Sequence, residues 1–265
     1  MKDTAISNCY ITPNPSTEQF IPVHTFMYLV EGFMTIYDGS KEYKLKPGDY
    51  GIGKRNHLAK YTKQPDQGAF KKIYIAFDQE FLKQFNETYH HTAGRNKSIH
   101  AIVPLKKSRI VENFIQSILL VSNEYGTINE PLLSIKRSEL LLILLKVNPE
   151  LADLFFDFSN PGKINLEKFM NANYKFNVSL ERFAFLTGRS LSTFKRDFKK
   201  IFNATPEHWL VQKRLEEAYY LIGKKKKKPS EIFIDLGFED FSHFSFAFKK
   251  LFGHPPTHLK QRMKD

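Results

Sequence analysis

One segment of the chain occurs twice. Phe194, Phe198, Lys199, Lys200, Phe202 and Pro206 recur fifty residues later as Phe244, Phe248, Lys249, Lys250, Phe252 and Pro256, and Ser192 recurs as Ser242. Upstream, Gly188 finds Gly237 at a spacing of 49, so one copy has a turn one residue longer. A repeat constrains the fold more than composition does, because both copies must solve the same packing problem. Each copy reads as a short helix, Leu180 to Leu186 or Ser230 to Leu236, then a glycine that turns the chain. A second helix follows, opened by a side-chain oxygen acceptor, Ser190 or Asp240. On that helix Phe194, Phe198 and Ile201 share a face and are expected in the core, leaving Ser192, Lys195, Arg196 and Lys199 on the opposite face. Between the copies, Pro206 to Ile222 reads as one helix with Pro206 in its first turn and Trp209, Leu210, Leu215, Ala218 and Leu221 as a buried stripe.

A short helix, a glycine turn and a second helix with an outward polar and basic face form a helix-turn-helix pattern, whose second helix enters the major groove of DNA. The competing reading is a pair of helical hairpins with solvated lysine faces. Charge placement decides between them: residues 163–265 hold 21 Lys and Arg against 11 Asp and Glu, so +10 of the formal +12 lies there. A basic half joined to a near-neutral half is the footprint of a polyanion-binding protein, and nucleic acid is the commonest such partner. At 1.5 Å per residue the intervening helix is about 25 Å long, a spacer able to seat two recognition helices in major-groove segments about 34 Å apart. The residues expected to face DNA are Ser190, Ser192, Thr193, Lys195, Arg196, Lys199 and Lys200 in the first copy, and Asp240, Ser242, His243, Ser245, Phe246, Lys249 and Lys250 in the second. The run Lys224, Lys225, Lys226, Lys227 and Lys228 leads into the second copy and reads either as a solvated charge run or as a set of phosphate contacts.

From about Asn165 to Leu259 the chain resembles the DNA-binding domain of the AraC/XylS family of bacterial transcription regulators. The resemblance rests on Leu180-Glu181-Arg182-Phe183-Ala184, Ser190 through Phe198-Lys199, Arg214 with Ala218, Asp235-Leu236-Gly237-Phe238, and Phe248-Lys249-Lys250-Leu251-Phe252-Gly253 with Pro256. It implies a regulator, usually an activator, that binds double-stranded promoter or operator DNA and works with RNA polymerase. Two positions depart from the family pattern. Phe233 stands where the second copy usually has a small Ala, and Phe246 stands where an Arg equivalent to Arg196 is usual.

A length of 265 residues suits two domains. Ahead of the repeat, Val23 to Val30, Gly32 to Tyr37, Glu42 to Leu45, Tyr50 to Gly53 and Ile73 to Phe77 read as strands. Asp38-Gly39 and Lys46-Pro47-Gly48-Asp49 supply turns between them, so a small β-sandwich or barrel is expected. Helices are expected from Ser108 to Ser122 and from Pro131 to Val147. In the second, Leu140 to Leu145 is apolar almost all round and must be buried on more than one side, against its own domain or in a homodimer. Turn residues cluster at Phe158 to Gly162. The fold class is therefore α+β: a β-domain with two helices over residues 1–158, and an all-α double helix-turn-helix domain over 159–265. Leu45-Lys46-Pro47-Gly48-Asp49 and His57 resemble a cupin-type sensor, which implies a domain that binds a small-molecule effector or dimerises, with His24, Tyr28 and His57 as the pocket candidates.

A metal-dependent cupin-type enzyme with an accessory nucleic-acid-binding domain is the alternative. It would need several converging ligands. His24, Glu31 and His57 are the available candidates; no close His pair sits in an expected strand, and His90-His91 falls in a loop. No metal, cofactor or catalytic group is therefore expected. The single cysteine, Cys9, excludes an internal disulfide, a Cys-rich zinc site and alkyl-transfer repair chemistry built on one. No phosphate-cradling glycine loop or nucleophile elbow occurs. Leu140 to Leu145 is far short of the roughly 20 residues of a membrane span. The start, Met1-Lys2-Asp3-Thr4, leads into a polar stretch rather than a secretory signal, so the cytoplasm is the expected location.

Overall fold

The computed structural model describes residues 19–67, 69–90, 100–125 and 130–262. Cys9, His91 and Met1 to Thr4 lie outside them. The chain divides into two compact units, one from Phe20 to Ser159 and the other from Asn160 onward together with Gln19.

In the first unit, β1 (Phe20–Ile21), β2 (His24–Glu31), β3 (Phe33–Tyr37), β4 (Glu42–Leu45), β5 (Tyr50–Gly53), β6 (His57–Leu58), β7 (Lys60–Gln64) and β8 (Lys71–Phe77) precede α1 (Gln79–Tyr89). Then come β9 (Ile102–Pro104), α2 (Arg109–Tyr125), α3 (Glu130–Val147) and α4 (Ala152–Phe155). The strands form an antiparallel sheet in the order β8-β2-β5-β9, a second in the order β4-β3-β7, and the pair β1-β6.

Side-chain alternation along β2 explains the layering. Phe26 lies opposite Ile52 on one side and Ile75 on the other, and these join Phe77, Val111, Ile115, Leu141 and Leu144 in a core against the helices. Met27 and Leu29 point the other way and join Met34, Ile36 and Tyr43 of the three-stranded sheet in a second core. The four-stranded sheet is thus covered on both faces, and β2 accordingly reads as a nearly continuous apolar run. Within α3, Leu140, Leu141, Leu144 and Leu145 are buried, but Leu142 is 39% exposed, so this stretch is not covered all round.

The second unit contains α5 (Leu166–Asn173), α6 (Leu180–Leu186), α7 (Leu191–Phe202), α8 (Pro206–Gly223), α9 (Pro229–Ile232), α10 (Phe241–Phe252) and α11 (Pro256–Arg262). Thr205 caps α8 by accepting from the His208 N–H, with Pro206 in the first turn. Gly188 and Gly237 both turn the chain at positive φ, +66° and +87°. Asn203 and Gly253, also fifty residues apart, end α7 and α10 in the left-handed conformation. The core of the second copy gathers Leu215, Ala218 and Ile222 of α8 with Ile232, Leu236, Phe238, Phe244, Phe248 and Leu259.

Two expectations need correction. Ile201 is 45% exposed, because in the last turn of α7 it is Phe202 that joins Phe198 and Trp209 in an aromatic cluster. The segment expected to be helical from Ser230 to Leu236 is α-helical only to Ile232. Half-buried Phe233, where a smaller residue would fit, packs on Phe241 and Phe244 at ring separations of 5.6 and 6.4 Å, and the chain continues as turns into Gly237.

Candidate nucleic-acid interface

Both second helices are fixed at their first turn. The Ser190 hydroxyl accepts from the Thr193 N–H at 3.3 Å and donates to the Thr193 hydroxyl, while the Asp240 carboxylate accepts from the His243 N–H at 2.6 Å. With Phe194 and Phe198 fully buried, α7 turns Ser192, Lys195, Arg196, Lys199 and Lys200 to solvent; Thr193 is half-buried. Arg196 is 65% exposed in its side chain. Its Nε lies 3.7 Å from Asp197, and Lys195 Nζ lies 3.5 Å from Glu207. Such exposed pairs stabilise little and yield readily to a competing phosphate. On α10, Ser242, His243, Lys249 and Lys250 are exposed and Ser245 is half-buried. Phe246 is 70% exposed at the position equivalent to Arg196, so it does not fill space beside Phe233.

The turn of the first copy carries a lock that the repeat alone does not reveal. Arg189 donates from Nη1 to the carbonyls of Ile164 and Thr187 at 3.0 and 2.7 Å, and from Nε to Asp197 at 3.1 Å. That hydrogen bond from Arg189 holds the Asp197 carboxyl below the usual range. Glu239 and Ala247 occupy the equivalent positions in the second copy, which cannot make the same lock. The sequence signal was available as an Arg beside the helix cap with an Asp on the helix behind it.

Lys224 to Lys228 are all exposed but not unstructured. The Lys224 N–H donates to the Tyr220 carbonyl at 2.8 Å, the Lys227 N–H donates to the Leu221 carbonyl at 3.1 Å, and Lys226 takes a φ of 56°. The run is therefore an ordered connection from the C-cap of α8 at Lys224 to the N-cap of α9 at Lys228. Lys228 also lies 3.6 Å from Glu231.

In the first unit, the three pocket candidates sit in distinct settings. Tyr28 is half-buried and stacks on Tyr50 at 6.2 Å. His57 Nδ1 donates to the Arg55 carbonyl at 2.9 Å. His24 is 1% exposed; its Nδ1 accepts from the Arg55 N–H at 3.4 Å, its ring meets the edge of Phe155, and its Nε2 has no hydrogen-bond partner among the described residues. Burial, followed by the charge of Arg55, lowers the His24 pKa to about 3 from an ordinary 6.5. Between those values the unfolded chain binds a proton that the folded chain does not. The stability associated with neutral His24 is thus complete above pH 6.5 and lost as the pH falls toward 3. Urea unfolding of the wild type should weaken by about 1.4 kcal/mol per pH unit below 6.5 relative to His24→Phe. Parallel pH profiles for the two proteins would refute this.

Among the described residues no group of three or more His, Cys, Asp and Glu side chains is placed to hold a metal ion, and no helix is long and apolar enough to cross a membrane.

Residues 24–154 match a family described as the ExsA N-terminal regulatory domain, and residues 183–262 match a helix-turn-helix domain family. The HTH-type transcriptional regulator ExsA of Pseudomonas aeruginosa is 23% identical over 239 residues, covering 88% of this chain and 84% of its own. The virulence regulon transcriptional activator VirF of Yersinia enterocolitica is 25% identical over 240 residues, covering 88% and 87%. Among solved structures, apo ToxT of Vibrio cholerae superposes with a TM-score of 0.47 at 12% identity, covering 98% of each chain. The two matched regions and the relatives, which cover 88% of this chain, identify a DNA-binding transcription regulator with a helix-turn-helix domain of AraC type.

Proposed function

We propose that α7 and α10 are recognition helices that divide the labour of reading DNA. The observation that carries this is the exposure of Arg196 and Phe246 at equivalent positions. Arg196 can bond a guanine edge through two hydrogens, whereas Phe246 offers only apolar contact to a thymine methyl. Ser190, Ser192, Thr193, Lys195, Lys199 and Lys200 complete the first face; Asp240, Ser242, His243, Ser245, Lys249 and Lys250 complete the second. Lys224 to Lys228 add phosphate contacts that give affinity without sequence preference. The test uses the full chain on a duplex it selects from a randomised pool. Arg196→Ala should cost roughly 1–3 kcal/mol and relax preference in one block of bases. Phe246→Ala should matter where a thymine faces it and leave the salt dependence of binding unchanged. Wild-type binding by Arg196→Ala would refute the assignment.

For the first unit we propose a cupin-type regulatory domain, supported by its facing antiparallel sheets. Its roles would be homodimerisation and response to a small-molecule effector near His24, Tyr28 and His57. Ile110 and Leu142, 50% and 39% exposed, line a shallow groove between α2 and α3 and support a contact between copies. We also propose that the chain activates transcription in the cytoplasm through contact with RNA polymerase; the activator role that VirF carries in its name supports the activation.

A further inference from the structure

Arg214 lies on the buried side of α8, in a stripe otherwise made of Leu210, Leu215, Ala218 and Ile222. It is 9% exposed. A charge on such a stripe demands an explanation, since a buried guanidinium is tolerated only when its donors are satisfied. Its partners are three backbone carbonyls. Nε donates to Tyr174 at 2.7 Å, Nη2 to Phe176 at 2.8 Å and Nη1 to Gly237 at 2.9 Å. Burial lowers its pKa to about 10, which leaves it charged at neutral pH.

The three carbonyls do not belong together in the sequence. Tyr174 and Phe176 lie in the segment that joins α5 to α6 of the first copy, whereas Gly237 is the turn of the second. The fork therefore links the segment that leads into the first copy with the turn of the second, from the helix between the copies. Two further bonds follow the same seam: Lys175 Nζ to Glu217 on α8 at 2.7 Å, and Asn177 Nδ2 to Glu239 beside the second turn at 3.1 Å. The approach is close enough to dictate a residue. A Cβ at Gly237 would lie 2.8 Å from Arg214 Cζ and 2.9 Å from the Lys175 carbonyl. In the first copy the turn is tied to its own recognition helix by Arg189 and Asp197; in the second, the turn is tied to Arg214.

We propose that Arg214 is a specificity-determining positioning residue: by clamping the segment that leads into α6 to the turn of the second copy it fixes the separation of α7 and α10, and so sets how many base pairs must lie between the two blocks the protein reads. This rests on the reading that both helices face DNA. Arg214 itself need not touch DNA. A planar fork with several donors suits the task, whereas a lysine ammonium on its flexible stem cannot hold three divergent carbonyls in one plane.

The experiment uses the full-length wild type and Arg214→Lys, with Asn177→Ala as a milder variant that removes only the outer bond to Glu239. Affinities are measured on a duplex selected by the wild type from a randomised pool and on two derivatives with one base pair added or removed between the blocks. The wild type should lose about tenfold or more on the altered spacings, the order of one lost base contact. Arg214→Lys should lose affinity on the selected duplex while binding the altered ones within about twofold of the wild type, flattening the preference. In parallel, spin labels at Lys200→Cys and Lys250→Cys in a Cys9→Ser background report the helix separation without DNA. The distance distribution should be narrow in the wild type and broad in Arg214→Lys. An equal loss on all three duplexes, or an unchanged label distribution, would overturn the proposal. A wild type indifferent to spacing would refute the two-helix reading instead, and the label distances would still decide whether Arg214 fixes the separation.

Discussion

Phe198→Ala is expected to destabilise the second unit by about 3–5 kcal/mol, the usual cost of emptying a fully buried aromatic site. Phe198 is 0% exposed, and its ring lies 5.6 Å from Phe194, 4.3 Å from Phe202 and 5.5 Å from Trp209. Trp209 is the only tryptophan of the chain, so its fluorescence reports this cluster directly during urea unfolding. Phe248 is its counterpart, equally buried, with Phe244, Phe252 and Tyr219 around it. Phe248→Ala should cost a similar amount. The Trp209 transition should move for it as well if α8 couples the two copies into one cooperative block. A loss below about 1 kcal/mol for Phe198→Ala would contradict its place at the centre of the core.

Gly188→Ala is the second large effect. The residue has a φ of +66°, and a Cβ there would lie 2.4 Å from the Gly162 carbonyl carbon and 2.5 Å from both its oxygen and the Lys163 nitrogen. The obstacle is backbone, which cannot swing aside as a side-chain end does. The left-handed conformation contributes about 1–2 kcal/mol and forced overpacking about 1–3 kcal/mol more, so a loss of roughly 2–5 kcal/mol is expected. Gly253→Ala is the matched control: its φ is +79°, but nothing lies within 4 Å of the added atom. Thermal or urea unfolding of both variants separates crowding from conformational strain. Equal losses would mean that the approach of residues 162–163 costs nothing.

The second unit was legible because its constraints are local and appear twice. Caps at Ser190 and Asp240, turn glycines at 188 and 237, and phenylalanines at helical spacing each determine structure within a few residues. Ile201 misled because helical periodicity groups it with Phe194 and Phe198, whereas in the last turn of α7 it is Phe202 that packs on Trp209. Phe233 misled because apolar periodicity says nothing of how much volume a turn can accept. In the first unit, β1, β6, β7, β9, α1 and α4 went unseen, as did α5 and α11 in the second. The two strands β1 and β6 have two residues each and exist only through their mutual pairing. β7, with the sequence KYTKQ, is largely polar and is a strand because β3 pairs with it along its length. Of the candidate interface, most solvent-facing side chains could be read, though Thr193 and Ser245 are half-buried; the Arg214 bonds could not, since their acceptors are backbone carbonyls that carry no side-chain signature.

The double covering of the four-stranded sheet limits how the first unit can be cut. A fragment that stops before α2 keeps every strand from β1 to β9 yet bares Phe26, Ile52, Ile73 and Ile75, a continuous sticky surface of the kind that drives chains to associate without specificity. A soluble fragment must run at least through Phe155 and Phe156, which close that surface after α3. Arg55 binds the carbonyls of Asp157 and Ser159 just beyond them, so the natural place to separate the regulatory half is after residue 159.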